Sequence, residues 1–256
     1  MTRFNITNLL FAAALIYLLV HAFVNGFEPL VFVFFAIAYL LMLTAGVIFT
    51  QLNFFIDHEL AGDARYNEIS LTFDDGPHAD WTPMVLEKLA HYKVKACFFV
   101  IGEKASQQQT LITKIHEQGH LIGNHSYYHH TRFPLAKLDE MILEINKTNK
   151  LIYKFINKYP VYFRPPFGVT NPRLAKAVSQ TKMLPVAWSL RTYDTSRTVG
   201  KVIRKLQKKL NGGDIILLHD QHEGIIEIID FLIPYAQEKG FKFVPLDELL
   251  NQQAYE

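Results

Sequence analysis

Two aspartates stand side by side where an apolar run gives way to Gly-Pro, in Ser70–Pro83 (SLTFDDGPHADWTP). Adjacent carboxylates repel unless something beside them takes up charge, and a bound cation does so most directly. Further along, His125 and His129 in GNHSYYHH are spaced i, i+4. On a helical turn that spacing aims both imidazoles the same way, as metal ligation requires. A solvated histidine pair has the same spacing, and neighbouring His130 adds a chance match. Two histidines with one aspartate, leaving positions for water, recur in hydrolytic metal sites. If Asp75 gives its charge to such an ion, Asp74 can stay ionised. It can then take a proton from water whose pKa the ion lowers to about 7. The competing reading is an Asx turn or N-cap before a helix near Thr82, since Asp-Gly-Pro is good turn chemistry.

These residues need a frame to hold them. Apolar, β-rich stretches fall at 68–73, 96–101, 121–123, 162–164, 184–188, 214–219 and 242–245. Helical patterns lie at 82–91, 107–118, 135–158, 171–180, 198–210 and 222–239. Asn171-Pro172 reads as an N-cap followed by proline at the first helical position. Such alternation predicts an α/β domain with a mainly parallel sheet, open or closed into a barrel. In these sheets the ends following the strands form one rim, where sites assemble. Asp74, Asp75, His125, His129, Arg164, Trp188, Asp194 and His219 all fall at or just after predicted strand ends, so one rim gathers them.

The amino-terminal quarter has a different character. From Leu9 to Ile56 the only formal charge is Glu28. The apolar runs 9–24 and 30–49 are separated by Asn25, Gly26, Glu28 and Pro29. The second matches the ~20 residues that cross a hydrocarbon core; the first does so with its flanks. The pattern predicts a membrane anchor over 1–57, with two transmembrane helices at about 7–25 and 29–50. A joint at 58–67, a domain at 68–250 and a tail at 251–256 complete the expected division. The alternatives are a buried helical pair in a soluble domain and a signal peptide cut after Ala22. The connecting turn has no Lys or Arg, so the positive-inside rule sets no orientation.

A net charge of +2 speaks against a nucleic-acid partner. The basic face of 201–209 is a solvated helix face or a contact for anionic lipid headgroups. The single cysteine, Cys97, excludes an intrachain disulfide and reads as a core thiol in a strand.

Thr72–Pro77 (TFDDGP), His125–His129 (HSYYH), Arg164–Gly168 (RPPFG) and Leu217–His219 (LLH) occur in an order that resembles NodB-type polysaccharide deacetylases. These are metal-dependent carbohydrate esterases that remove N- or O-acetyl groups from chitin, peptidoglycan and xylan. The resemblance covers about 68–250 and implies a distorted (β/α) barrel. It also implies a divalent metal, first of all zinc, with cobalt, manganese, nickel or iron as alternatives. Carried over motif by motif, it implies Asp74 as general base and Asp75, His125 and His129 as metal ligands. The backbone N–H of Phe167 would face the oxyanion, and His219 would protonate the leaving amine. Asp194 would orient His219, Arg164 would hold Asp74, and Leu217 would wall the acetyl methyl.

Three positions depart from the family pattern. Where W-S-x-D-x-x-D-W is common, Trp188–Thr195 reads WSLRTYDT, with Arg191 for the first aspartate and Thr195 for the second tryptophan. Loss of that ring loosens the acetyl pocket or passes the role to Tyr193. Phe167 stands where tyrosine is common, and His130 where proline is. The expected partners are an N-acetylated glycan (peptidoglycan, a chitin-like polymer or a lipid-linked sugar) and membrane lipid through the first helices. The substrate class places the catalytic domain on the outer face, by analogy alone. The other reading is a catalytically weak sugar-binding protein of the same fold, which would need none of Asp74, Arg164, Asp194 and His219. A metalloprotease would carry H-E-x-x-H within a helix; His116–His120 (HEQGH) spells that string but runs through Gly119 past the end of the helical pattern at 107–118, so the helical signature is lacking.

Overall fold

The computed structural model describes residues 2–256. Helix α1 (Arg3–Asn25) ends at Gly26, whose φ of 103° is open only to glycine, and α2 (Pro29–Ile48) starts on a proline that needs no N–H partner. At 20 residues α2 is about 30 Å long, the thickness of a hydrocarbon core. No residue of α1 and only Gly46 of α2 is buried, so the pair is not the core of a soluble domain. The two helices meet through Phe11 against Phe35 and Tyr39, and through the Tyr39 hydroxyl donating to Asn8 Oδ1 at 2.8 Å.

The chain does not leave α2 as a loose joint. Phe54, Phe55 and Ile56 are buried with Phe163, Leu174 and Met183, and Leu43, Val47 and Phe4 pack on the same cluster. The Phe4 N–H donates to the Phe54 carbonyl at 2.9 Å. A boundary at residue 57 therefore cuts through one apolar cluster. Residues 58–67 are also engaged, with Glu59 bridging Val186 and Ala61 bridging Asp214.

The sheet begins with β1 (Glu68–Gly76), followed by α3 (Trp81–Tyr92), β2 (Ala96–Val100), α4 (Gly102–Gln107), α5 (Gln109–Glu117) and β3 (Leu121–Asn124). It continues with α6 (Leu138–Ile156), β4 (Tyr162–Phe163), α7 (Pro172–Gln180), β5 (Leu184–Pro185) and β6 (Leu190–Arg191). The last elements are α8 (Val199–Lys209), β7 (Ile215–His219), α9 (Gly224–Glu238), β8 (Lys242–Phe243) and α10 (Leu246–Leu250). Strand order is β5-β4-β3-β2-β1-β7-β6 with β8 beside the start of β1, and every pair is parallel. The sheet curls into a half-barrel that stays open between β5 and β6, the distorted, open form of the expected (β/α) barrel.

The period-two alternation of β1 decides what faces inward. Ile69, Leu71 and Phe73 pack outward beneath the helices, while Ser70, Thr72 and Asp74 face the concave side. Phe98 and Phe99 of β2 divide in the same way between two clusters. The predicted strand at 162–164 stops at Phe163 because Pro165 and Pro166 offer no N–H to a ladder. The helix expected at 107–118 is α5, and a separate α4, not expected, precedes it with the break at Gln108 (φ −137°, ψ 49°). β6, only two residues long, had no alternating run to announce it.

Two buried histidines make the fold acid-sensitive. His120 accepts the Ala96 N–H on Nδ1 at 3.1 Å, and burial pushes its pKa down to about 4. His58, against Asn53, is likewise pushed down by burial to about 4. The unfolded chain binds protons at these positions from about pH 6.5 downward, before the folded chain does. Their stabilisation is therefore complete above about pH 6.5 and is lost as the pH falls towards about 4. Melting curves across that window should show a falling Tm. His120→Gln, which can accept the same N–H without titrating, should reduce the fall; an equal fall in the variant would exclude His120 as a cause.

Candidate active site

In a regular strand Asp74 and Asp75 would face opposite sides of the sheet. Instead the β1–β2 register shifts between Asp74 and Gly76, which makes Asp75 the extra residue of a bulge with φ 68°. Aspartate enters this left-handed region more readily than most side chains. Both carboxylates consequently line one cavity of about 240 Å³, together with His125, His129, Phe167, Gly168, Trp188, Arg191, Thr195, Leu217, His219 and Gln221. A side chain at Gly76 would run into the Asp220 carboxyl, which is buried behind the bulge against the Thr82 hydroxyl. Burial pushes that carboxyl up to about 6.

His125 and His129 come from the loop after β3, and no helical turn aligns them. Positive φ at Ser126 (62°) and His129 (52°) folds the loop so that the rings lie 4.7 Å apart. His125 Nδ1–H donates to the Arg164 carbonyl at 2.7 Å, which fixes the tautomer and leaves the Nε2 lone pair free. Nε2 of His125 and of His129 lie 3.4 and 3.3 Å from Asp75 Oδ1. Tetrahedral donors held at ~2.1 Å from a metal stand about 3.4 Å from one another. Asp75 Oδ1 is buried and accepts no hydrogen bond, an omission that a cation in this place would satisfy. Burial pushes His129 down to about 4, so its ring is the neutral form that ligates. The three side chains fit a divalent metal in spacing, in the neutral ring of His129 and in the missing partner of Asp75 Oδ1.

Asp74 has a separate holder. Arg164 is completely buried and donates through Nη1 to Asp74 Oδ1 at 2.7 Å. Its remaining donors go to Thr72 Oγ1 at 2.8 Å and to the carbonyls of Val186 and Ala187 at 3.2 and 2.7 Å, and its guanidinium lies 4.0 Å over the Phe99 ring. Asp74 is thus a buried carboxylate with a fixed, charged partner.

On the adjoining strand His219 pairs in register with Asp74. Its Nδ1 lies 2.9 Å from Asp194 Oδ1, and its backbone N–H donates to Asp194 Oδ2 at 2.8 Å. Burial disfavours a charged His219 ring, but the hydrogen bond and charge of Asp194 outweigh it and raise the pKa. Asp194 also accepts from Thr192 Oγ1 at 2.9 Å and meets His222 Nε2 at 3.1 Å. Burial works against its charge too, yet the bonds from His219 and His222 hold the carboxyl below the usual carboxylate range.

The structure thus brings Asp74, Asp75, His125, His129, Phe167, Leu217 and His219 to one cavity, with Arg164 and Asp194 directly behind it. Tyr193 is not in the cavity wall: it is turned, at φ 62°, towards Arg191, Arg197 and Lys205. Trp188, Arg191 and Thr195 supply that wall instead. His130 is exposed and stacks on Tyr128, outside the cavity. Sequence reasoning missed His222, Gln221 and Lys104. Gln221 donates to Asp75 Oδ2 at 3.0 Å, and Lys104 donates to the Asp75 carbonyl at 2.7 Å. The proximity of Gln221 and His222 to LLH was the available signal for two of them; nothing local marked Lys104.

A curled parallel half-barrel with an Asp-His-His set on its rim is the NodB type of α/β fold. The sequence profile of polysaccharide deacetylases matches residues 61–186. A peptidoglycan-N-acetylglucosamine deacetylase of Bacillus cereus is 32% identical over 201 residues, covering 76% of this chain and 72% of that protein. The peptidoglycan-N-acetylglucosamine deacetylase PgdA of Listeria monocytogenes is 34% identical over 187 residues, 72% of this chain but only 39% of that longer protein. The crystal structure of the Bc1960 peptidoglycan N-acetylglucosamine deacetylase, in complex with an N-hydroxybenzamide compound, superposes with a TM-score of 0.73 at 30% identity, covering 78% of this chain and 95% of that one. The chain belongs to the polysaccharide deacetylase family.

Proposed function

We propose that this chain hydrolyses the acetamide of an N-acetylated sugar in a cell-envelope glycan of the peptidoglycan class. The observation that carries the reading is a three-donor set, Asp75, His125 and His129, standing beside two separately held proton-transfer groups, Asp74 and His219. A divalent cation held by the three donors, zinc in first place, would polarise the acetyl carbonyl and acidify water. Asp74, fixed by its hydrogen bond from Arg164, takes the water's proton. The Phe167 N–H faces the carbonyl oxygen as it gains charge, a donor typically worth ~2.7–4 kcal/mol. His219, oriented through Nδ1 by Asp194, gives a proton to the departing nitrogen, which an amide requires because its anion leaves poorly. Leu217 and Trp188 give the methyl group an apolar wall.

We read α1 and α2 as a transmembrane hairpin with the catalytic domain on the outer face. Their exposed apolar surface supports this over a buried helical pair, and the packing of Phe4 against Phe54 and Phe55, which a cut after Ala22 would remove, supports it over a cleaved leader.

The test is acetate release by the full-length protein from chitooligomers, peptidoglycan and acetylxylan, before and after chelation, with metal content measured in parallel. N-acetylated glycans should release acetate, chelation should stop it, and zinc or cobalt should restore it. Asp75→Ala should fold but retain almost no metal. Undiminished turnover by metal-free protein would refute the reading.

A further inference from the structure

The end of the hairpin is part of the rim of the site. Thr50 is buried and its hydroxyl donates to the Gly168 carbonyl, and the Thr170 hydroxyl donates to the Gly46 carbonyl at 3.5 Å. Gly168 lines the cavity, and the ring of neighbouring Phe167 lies 4.5 Å from that of His129. At φ 68°, a Cβ on Gly168 would meet Trp188 and come within 3.0 Å of Thr50 Oγ1, so this approach needs glycine. Arg3 Nη1 donates to the Leu52 carbonyl at 2.8 Å, which brings the start of α1 to the level where α2 ends. The cavity rim therefore lies at the level where both apolar helices meet the domain. Phe49, 55% exposed, and Phe167, 44% exposed, present apolar rings there.

From the cavity wall at Arg191 outward to the Tyr193 ring beside it, cations gather without a paired carboxylate. Arg191 lines the cavity, and its Nε is buried with no partner. The guanidinium groups of Arg191 and Arg197 and the Lys205 ammonium lie 4.9, 4.5 and 4.3 Å from the Tyr193 ring centroid. Among the described residues no carboxylate pairs with any of the three. Burial, and then the charges of Arg197 and Arg191, lower the Lys205 pKa, as expected of cations gathered without an anion. A neutral glycan has no use for such a cluster; a phosphate does.

We propose that the sugar this site takes is carried on a lipid phosphate, with its acetamide at Asp74 and Asp75, its phosphate at Arg191 and its lipid in the bilayer beside the hairpin. The inference rests on the deacetylase reading and names its substrate class. A neutral polymer would have to thread between the domain and the membrane, whereas a lipid-borne sugar is already at that level. The same guanidinium could receive the carboxylate of a muramic acid residue, so the test must separate the two anions.

Full-length protein in vesicles of phosphatidylethanolamine and phosphatidylglycerol is given three probes at matched sugar concentration. They are N-acetylglucosaminyl polyprenyl diphosphate in the same vesicles, soluble glycan strands containing N-acetylmuramic acid, and chitotetraose. The lipid probe should exceed both soluble probes in kcat/KM by at least about 10-fold, the lower end of what a charged hydrogen bond supplies. Arg191→Gln should raise its KM by about 10- to 100-fold and leave kcat within about 3-fold. Turnover of either soluble probe as fast as the lipid probe overturns the inference and leaves the deacetylase reading intact, and an unchanged KM in Arg191→Gln overturns the phosphate assignment. Absence of acetate from all three overturns both readings together.

Discussion

Asp74→Asn is expected to keep the metal and lose the reaction, with acetate release falling about 10²- to 10⁴-fold, the usual contribution of a positioned general base. The two aspartates differ only in their surroundings, and those predict opposite phenotypes. Asp75 Oδ1 stands 3.4 and 3.3 Å from the two imidazoles, so its loss removes the ion. Asp74 Oδ2 is 3.8 Å from His125 Nε2 and Asp74 Oδ1 is bound to Arg164, so its loss removes a base and leaves three donors in place. Asparagine fills the same volume and still accepts from Arg164, which makes structural failure a poor explanation for lost turnover. The measurements are metal content by mass spectrometry and acetate release on one preparation. Full metal with turnover near wild type would remove Asp74 from the proton path; metal lost along with turnover would make it a ligand.

The sequence showed that Asp74 and Asp75 end a strand, but not how both could reach one cavity. Alternation alone sends neighbours to opposite faces, and only the bulge at Asp75 with positive φ turns them together. The histidine spacing pointed to the right pair for the wrong reason: the loop Ser126–His129 is shaped by two left-handed residues, and a helical turn plays no part. The long apolar and amphipathic stretches gave β1, β2, β3, β7 and the long helices because periodicity survives local noise. Of the short strands, β5 and β8 fell inside the predicted stretches 184–188 and 242–245, whereas β6 did not stand out, since two residues carry no period. Tyr193 was misplaced for a similar reason. Its position in the chain suited a pocket wall, but its backbone turns the ring towards three cations. The contact of Thr50 with Gly168 spans 118 positions, and nothing in either local segment signals it.

Arg164→Met should destabilise the folded protein by about 3–5 kcal/mol, the cost of breaking a buried ion pair from one side. Methionine replaces much of the volume, so the loss is mainly electrostatic. Without the guanidinium, Asp74 is a buried carboxylate with no cation bound to it, and the Val186 and Ala187 carbonyls and Thr72 Oγ1 lose their donor. The double variant separates these contributions. Adding Asp74→Asn to Arg164→Met removes the stranded charge and leaves only the neutral acceptors unpaired. The double variant should therefore be more stable than Arg164→Met alone, although Asp74→Asn in the wild-type background should be neutral or destabilising. That reversal of sign is the signature of a coupled pair, and chemical denaturation of the four proteins in detergent, with a metal chelator present, measures it as a cycle. If Asp74→Asn changes stability equally in both backgrounds, the pair is uncoupled and Arg164 is only packing. If the reversal is found, Arg164 favours the charged state of Asp74, which is the state that a base must start from at neutral pH. The same 2.7 Å contact then serves both stability and catalysis.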